Sequence, residues 1–116
     1  MSKFDSGAFD RRAGPRTAMQ HAGKVLCGAF GWDCVIRDMS AAGLRIQMLS
    51  SASPPESVQL VDLVSGFAHD AKVMWQKDRE FGLKILRSHD LRGLATSSLQ
   101  TAKRIWVASQ DRAAAS

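Results

Sequence analysis

A small, mainly β domain is the fold class this sequence predicts: an antiparallel sheet or small barrel, one terminal helix beside it and a basic arm in front. Three observations carry the prediction. Between residues 19 and 86, six short apolar runs are separated by Gly, Ser, Pro or charge, at the close spacing of antiparallel strands. Within the runs apolar and polar residues alternate, as where Leu44, Ile46 and Met48 flank Arg45 and Gln47, the period of a sheet with one wet face. After residue 90 the rhythm changes to threes and fours, the spacing of one helical face.

In chain order, residues 1–18 mix Gly, Ser, Pro and charge without an apolar period and are expected as a flexible basic arm. Residues 19–110 are expected as one domain. Its strands are read at 19–26, 33–38, 43–49, 57–63, 67–75 and 80–86. Ala71, Val73 and Trp75 repeat the alternation, which places Trp75 on the buried face. The segment SSASPPES, residues 50–57, is a connecting loop, because its two prolines cannot donate to a ladder. Leu91, Leu94, Ala95, Ser98, Leu99, Ala102, Ile105, Trp106 and Ser109 predict a single helix over 91–110, with Asp90 as its N-cap. Residues 111–116 are left as a disordered tail.

The 116 residues, 45% apolar and 23% charged, suit one folded domain with a modest core. A net charge of +5 favours an anionic partner without choosing among nucleotide, nucleic acid and acidic membrane. No stretch reaches the roughly 18 apolar residues of a span, and the first residues lack the apolar core of a secretory signal, so a cytoplasmic protein is expected. Cys27 and Cys34, with six residues between them, form neither a redox pair nor a zinc set and are expected as reduced strand residues.

Two motifs carry chemistry. In RRAGPR, Pro15 disfavours a helical Gly14, so Arg12 and Arg16 lie on an extended or turning segment, on one side and about 13 Å apart. Planar guanidinium groups at that separation can clasp a flat ligand, bonding guanine O6 and N7 or a phosphate and stacking on a purine. In DMSAAG, Asp38 can accept from the amino edge of guanine or hold an arginine fork. Ser40 supplies a small hydroxyl, and Gly43 permits a close approach. Taken singly, the first motif also reads as a solvated basic arm and the second as an Asx-type turn.

In this order and spacing the pair resembles the PilZ family, whose members bind the bacterial second messenger cyclic di-GMP. The family's RxxxR is matched by Arg12 and Arg16, and its (D/N)xSxxG by Asp38, Ser40 and Gly43. The resemblance runs over residues 10–110, with AKVMWQKDREFGLKIL like the family's closing hairpin. It implies a six-stranded antiparallel β-barrel with the terminal helix packed beside it. It also implies that Arg12 and Arg16 stack on and bond the guanines and phosphates while Asp38 and Ser40 contact the base edge. Arg11, a third guanidinium pointing to the other side of an extended arm, suggests two stacked ligand molecules per protomer, whose charge calls for an extra cation. Ordering of the arm on the ligand would then present a surface to an effector protein.

His21, His69 and His89 fall in separate elements without metal-ligand spacing and are expected as surface or edge residues. Trp75 and Trp106 are assigned to packing; Trp32 stands in a GWD turn. No serine has a triad pattern around it and no glycine-rich phosphate loop opens a helix, so no enzyme, metal or cofactor is expected. Two other readings remain: a PilZ-like adaptor that works without ligand, and a small basic barrel for single-stranded nucleic acid. Only eight aromatics, mostly at core positions, make nucleic acid the poorer fit.

Overall fold

The computed structural model describes residues 17–115, with side chains to Gln110. The arginines of the arm, Arg11, Arg12 and Arg16, lie outside the described residues. Six antiparallel strands, β1 (Thr17–Cys27), β2 (Phe30–Met39), β3 (Gly43–Met48), β4 (Ser57–Asp62), β5 (Phe67–Lys77) and β6 (Glu80–Asp90), close into a barrel in the order β1-β2-β3-β6-β5-β4. Closure follows from the alternation: Val25, Cys34, Ile36, Leu44, Ile46, Met48, Leu60, Ala71, Phe81 and Leu83 all turn inward and form one core. Each large aliphatic side chain so buried contributes about 1.5–3 kcal/mol. Two-residue turns join β1 to β2 and β5 to β6, and both use a left-handed residue, Gly28 (φ 59°) and Asp78 (φ 56°). The proline segment is the connection from β3 to β4, as expected.

The β1–β4 seam that completes the ring is short, running from Gly23↔Asp62 to Leu26↔Gln59. A helix, α1 (Gln100–Ala115), lies outside it, preceded by a turn of 3₁₀ helix at Ser97–Leu99. Its Ala102, with Leu99 and Leu91, packs on Leu26, Val61 and Ala68, which face outward from the barrel; Ile105 and Trp106 border the contact. The indole of Trp106 lies on Gly66 (φ 79°), where a Cβ would come within 3.0 Å of the ring.

Several expectations are corrected. β2 begins at Phe30, so Trp32 is a strand residue packed against the core. The helix starts nine residues later than the periodicity indicates, and runs to Ala115 through the expected tail. Asp90 caps nothing: it ends β6, and its carboxylate accepts from the backbone and guanidinium of Arg92. Leu91 is buried beside the strand ends while Leu94 is fully exposed, so part of the helical stripe is a loop. Trp75 is 45% exposed, because the bulge between Val73 and Trp75 on the β5–β6 ladder adds Met74 to β5 and shifts the alternation. His69, paired with the inward Leu60, is buried, with Nδ1 2.8 Å from Ser88 Oγ.

Candidate ligand-binding site

Asp38 lies in β2 next to its last residue, Met39, and DMSAAG carries the chain into β3 through a turn closed by Ser40 N–H donating to Gly43 C=O at 2.8 Å. The turn leans on β6, where Ile85 N–H donates to Ala42 C=O at 2.9 Å. Gly43 is required here, since a Cβ would stand 2.8 Å from the backbone oxygen of Leu83. Ser40 is buried, and its hydroxyl has no hydrogen-bond partner among the described residues. The three motif residues are thus brought together at one end of the barrel.

Register extends this corner into a platform. Ala18 pairs with Asp38, Asp38 with Arg45, Arg45 with Gly82, and Gly82 with Trp75, forming one rung across five strands on the outer wall. The neighbouring rung runs from Gly43 to Lys84 and Lys72. Ala18, Gly43 and Gly82 leave the wall low between taller side chains. At Gly82 a Cβ would collide with the indole of Trp75, which lies across the glycine. With strands roughly 4.8 Å apart, Asp38 and Trp75 stand about 14 Å from each other, enough for a nucleotide-sized ligand.

The charges are arranged around Asp38. Arg45 Nε donates to Asp38 Oδ2 at 2.6 Å, and Arg45 Nη1 donates to Glu80 Oε2 at 3.2 Å and Oε1 at 3.4 Å. The hydrogen bond to Asp38, foremost among its surroundings, lifts the guanidinium above its already high ordinary pKa, so the pair is a standing ion pair. Lys84 is exposed on the adjacent rung, and Lys72 is bound to Glu56 at 3.2 Å. Arg45, Gly82 and Trp75 belong to neither motif. A hairpin drawn around DMSAAG would have put Arg45 opposite Asp38; the bulge at Met74 hid Trp75. Among the described residues no cluster of His, Cys, Asp and Glu could hold a metal ion.

A closed barrel with an aliphatic core, an acceptor, cations and an exposed indole on one outer wall and the buried Ser40 hydroxyl beside them has the architecture of a small binding domain. The PilZ domain model matches residues 10–97, and the chain belongs to the PilZ family of receptor and adaptor domains. No curated protein matches it. Among solved structures it is similar to the inhibitor of motility MotI/DgrA of Bacillus subtilis, with 14% identity and a TM-score of 0.52. The likeness covers 84% of this chain and 50% of that one, and it shows a shared fold. No helix among the described residues is long and apolar enough to cross a membrane.

Proposed function

We propose that this chain is a cyclic di-GMP receptor of the cytoplasm, with the ligand docked on the wall beside Asp38, Ser40 and Gly43 and the arm folded over it. The observation that carries the reading is the start of β1. Thr17 pairs with Met39 and Ala18 with Asp38, so β1 begins beside DMSAAG, and in the sequence the RxxxR motif ends immediately before that strand. The start of β1 at the DMSAAG corner supports an arm that reaches the ligand there. Arg12 and Arg16 take guanine and phosphate, Asp38 the guanine donor edge, and Trp75 a base face at the far end of the rung. Arg11 serves a second, stacked ligand molecule. The ordered arm and the ligand together form the surface that an effector protein meets.

Titration of the purified chain with cyclic di-GMP, GTP and a single-stranded oligonucleotide tests this reading. Cyclic di-GMP at about 100 times its dissociation constant stabilises the native state by roughly 2.7 kcal/mol, and the melting temperature rises accordingly; GTP does far less. Arg12→Ala and Arg16→Ala each abolish binding with little change in the ligand-free melt. Calorimetry gives two ligands per chain, falling toward one in Arg11→Leu. An unmoved melt at high micromolar cyclic di-GMP, with no calorimetric heat, turns the assignment to a ligand-independent adaptor, and a shift with oligonucleotide alone turns it to nucleic acid.

A further inference from the structure

Arg45 stands outside both motifs, yet it is pinned between two carboxylates on neighbouring strands, Asp38 of β2 and Glu80 of β6. The Asp38 side chain is only 14% exposed, so its orientation is set by the protein more than by solvent. An ionised carboxylate is an acceptor only. Guanine presents N1–H and the N2 amino group side by side on one edge, and reading both requires an acceptor that is charged and fixed in rotation. A charge-assisted bond to Arg45 Nε supplies both conditions. Glu80 holds the other end of the guanidinium, which keeps Arg45 from swinging onto a ligand phosphate and releasing Asp38. Gly43 and Gly82, beside it on the wall, place no side chain against it.

We propose that Arg45 is the positioning residue that sets base selectivity: anchored by Glu80, it keeps the Asp38 carboxylate turned to read the paired donors of guanine. This rests on the receptor reading above and adds to it a residue that neither motif contains.

The test compares cyclic di-GMP with its inosine counterpart, cyclic di-IMP, which lacks only the N2 amino groups, by calorimetry on the full chain. The unmodified protein prefers the guanine ligand by about tenfold or more, the scale of one hydrogen bond to a charged group. Arg45→Met brings the ratio near one by weakening the guanine ligand, which loses two bonds to Asp38, more than the inosine ligand, which loses only the N1–H bond, and Arg45→Lys restores part of it. In an Asp38→Asn background, Arg45→Met leaves the ratio where Asp38→Asn put it. Glu80→Gln, on a half-buried side chain at the strand start, lowers the ratio by about two- to threefold and carries the test should Arg45→Met fail to fold. Equal losses for both ligands in Arg45→Met, or an unchanged ratio in Glu80→Gln, overturn the inference. Equal affinities in the unmodified protein overturn it while the receptor reading stands, and binding of neither ligand removes both.

Discussion

Three single positions separate fold from site. Ser40 holds a buried hydroxyl without a partner among the described residues, so its removal costs the empty barrel nothing. Ser40→Ala is expected to melt at or slightly above the unmodified protein while binding cyclic di-GMP about tenfold more weakly, checked by melting and calorimetry on the same preparations. Gly43 is the opposite case. A methyl there meets the Leu83 carbonyl, which is backbone, so Gly43→Ala is expected to lose about 1–3 kcal/mol and several degrees of melting temperature. A melt unchanged from the unmodified protein would contradict the close approach. Burial, reinforced by the charges of Asp33 and Asp62, pushes the Cys34 thiol up to about 12, whereas Cys27 is half-buried. A thiol reagent at neutral pH should therefore modify one cysteine quickly and the second only on unfolding; two equally fast thiols would mean that β2 is not sealed.

At the scale of elements, α1 works as a strap over the β1–β4 seam, its Ala102 set on the wall formed by Leu26, Val61 and Ala68. Ala102→Asp buries a charge there and is expected to cost more than about 2 kcal/mol, measured by denaturant melts. On β5, burial foremost lowers the pKa of His69, from the ordinary 6.5. The unfolded chain then binds this proton more readily than the folded one. The stability His69 contributes is complete above pH 6.5 and is lost as pH falls from there toward the lowered folded value. His69→Leu should flatten that decline, and an identical decline in the variant would place its source elsewhere.

Strands of this kind are legible where inward residues keep strict parity, as Leu44, Ile46 and Met48 do. Parity counted along β5 fails at Trp75 because the bulge at Met74 adds a residue that no composition announces. His69 was missed for another reason: it shares the parity of the inward Ala71, but a histidine reads by its chemistry as a surface residue, and only the buried partner Leu60 and Ser88 Oγ show how it is accommodated. Asp90 looks like a cap until Arg92 takes its carboxylate. The motif corner was legible because turn chemistry is local, and Arg45 was not, because its role arises only when the hairpin is closed.

For the whole molecule, β1 meets β4 along a short seam, and the strap over it joins Leu26 to Ala102, residues far apart in sequence. Contacts so far apart form late in folding. Ala102→Gly is therefore expected to speed unfolding and leave refolding nearly unchanged, as followed by tryptophan fluorescence after rapid mixing. Refolding slowed in proportion to the lost stability would instead put the strap in the folding nucleus. The same order holds on the ribosome. At about 5–20 residues per second, roughly 1–5 s separate the emergence of β6, which completes the ring, from that of the last turn of α1. Through that interval the newborn ring carries an unfastened seam and a bare apolar wall, so a chaperone that binds nascent chains has its natural target in Leu26, Val61 and Ala68, and a stalled chain ending before residue 100 is the form that aggregates.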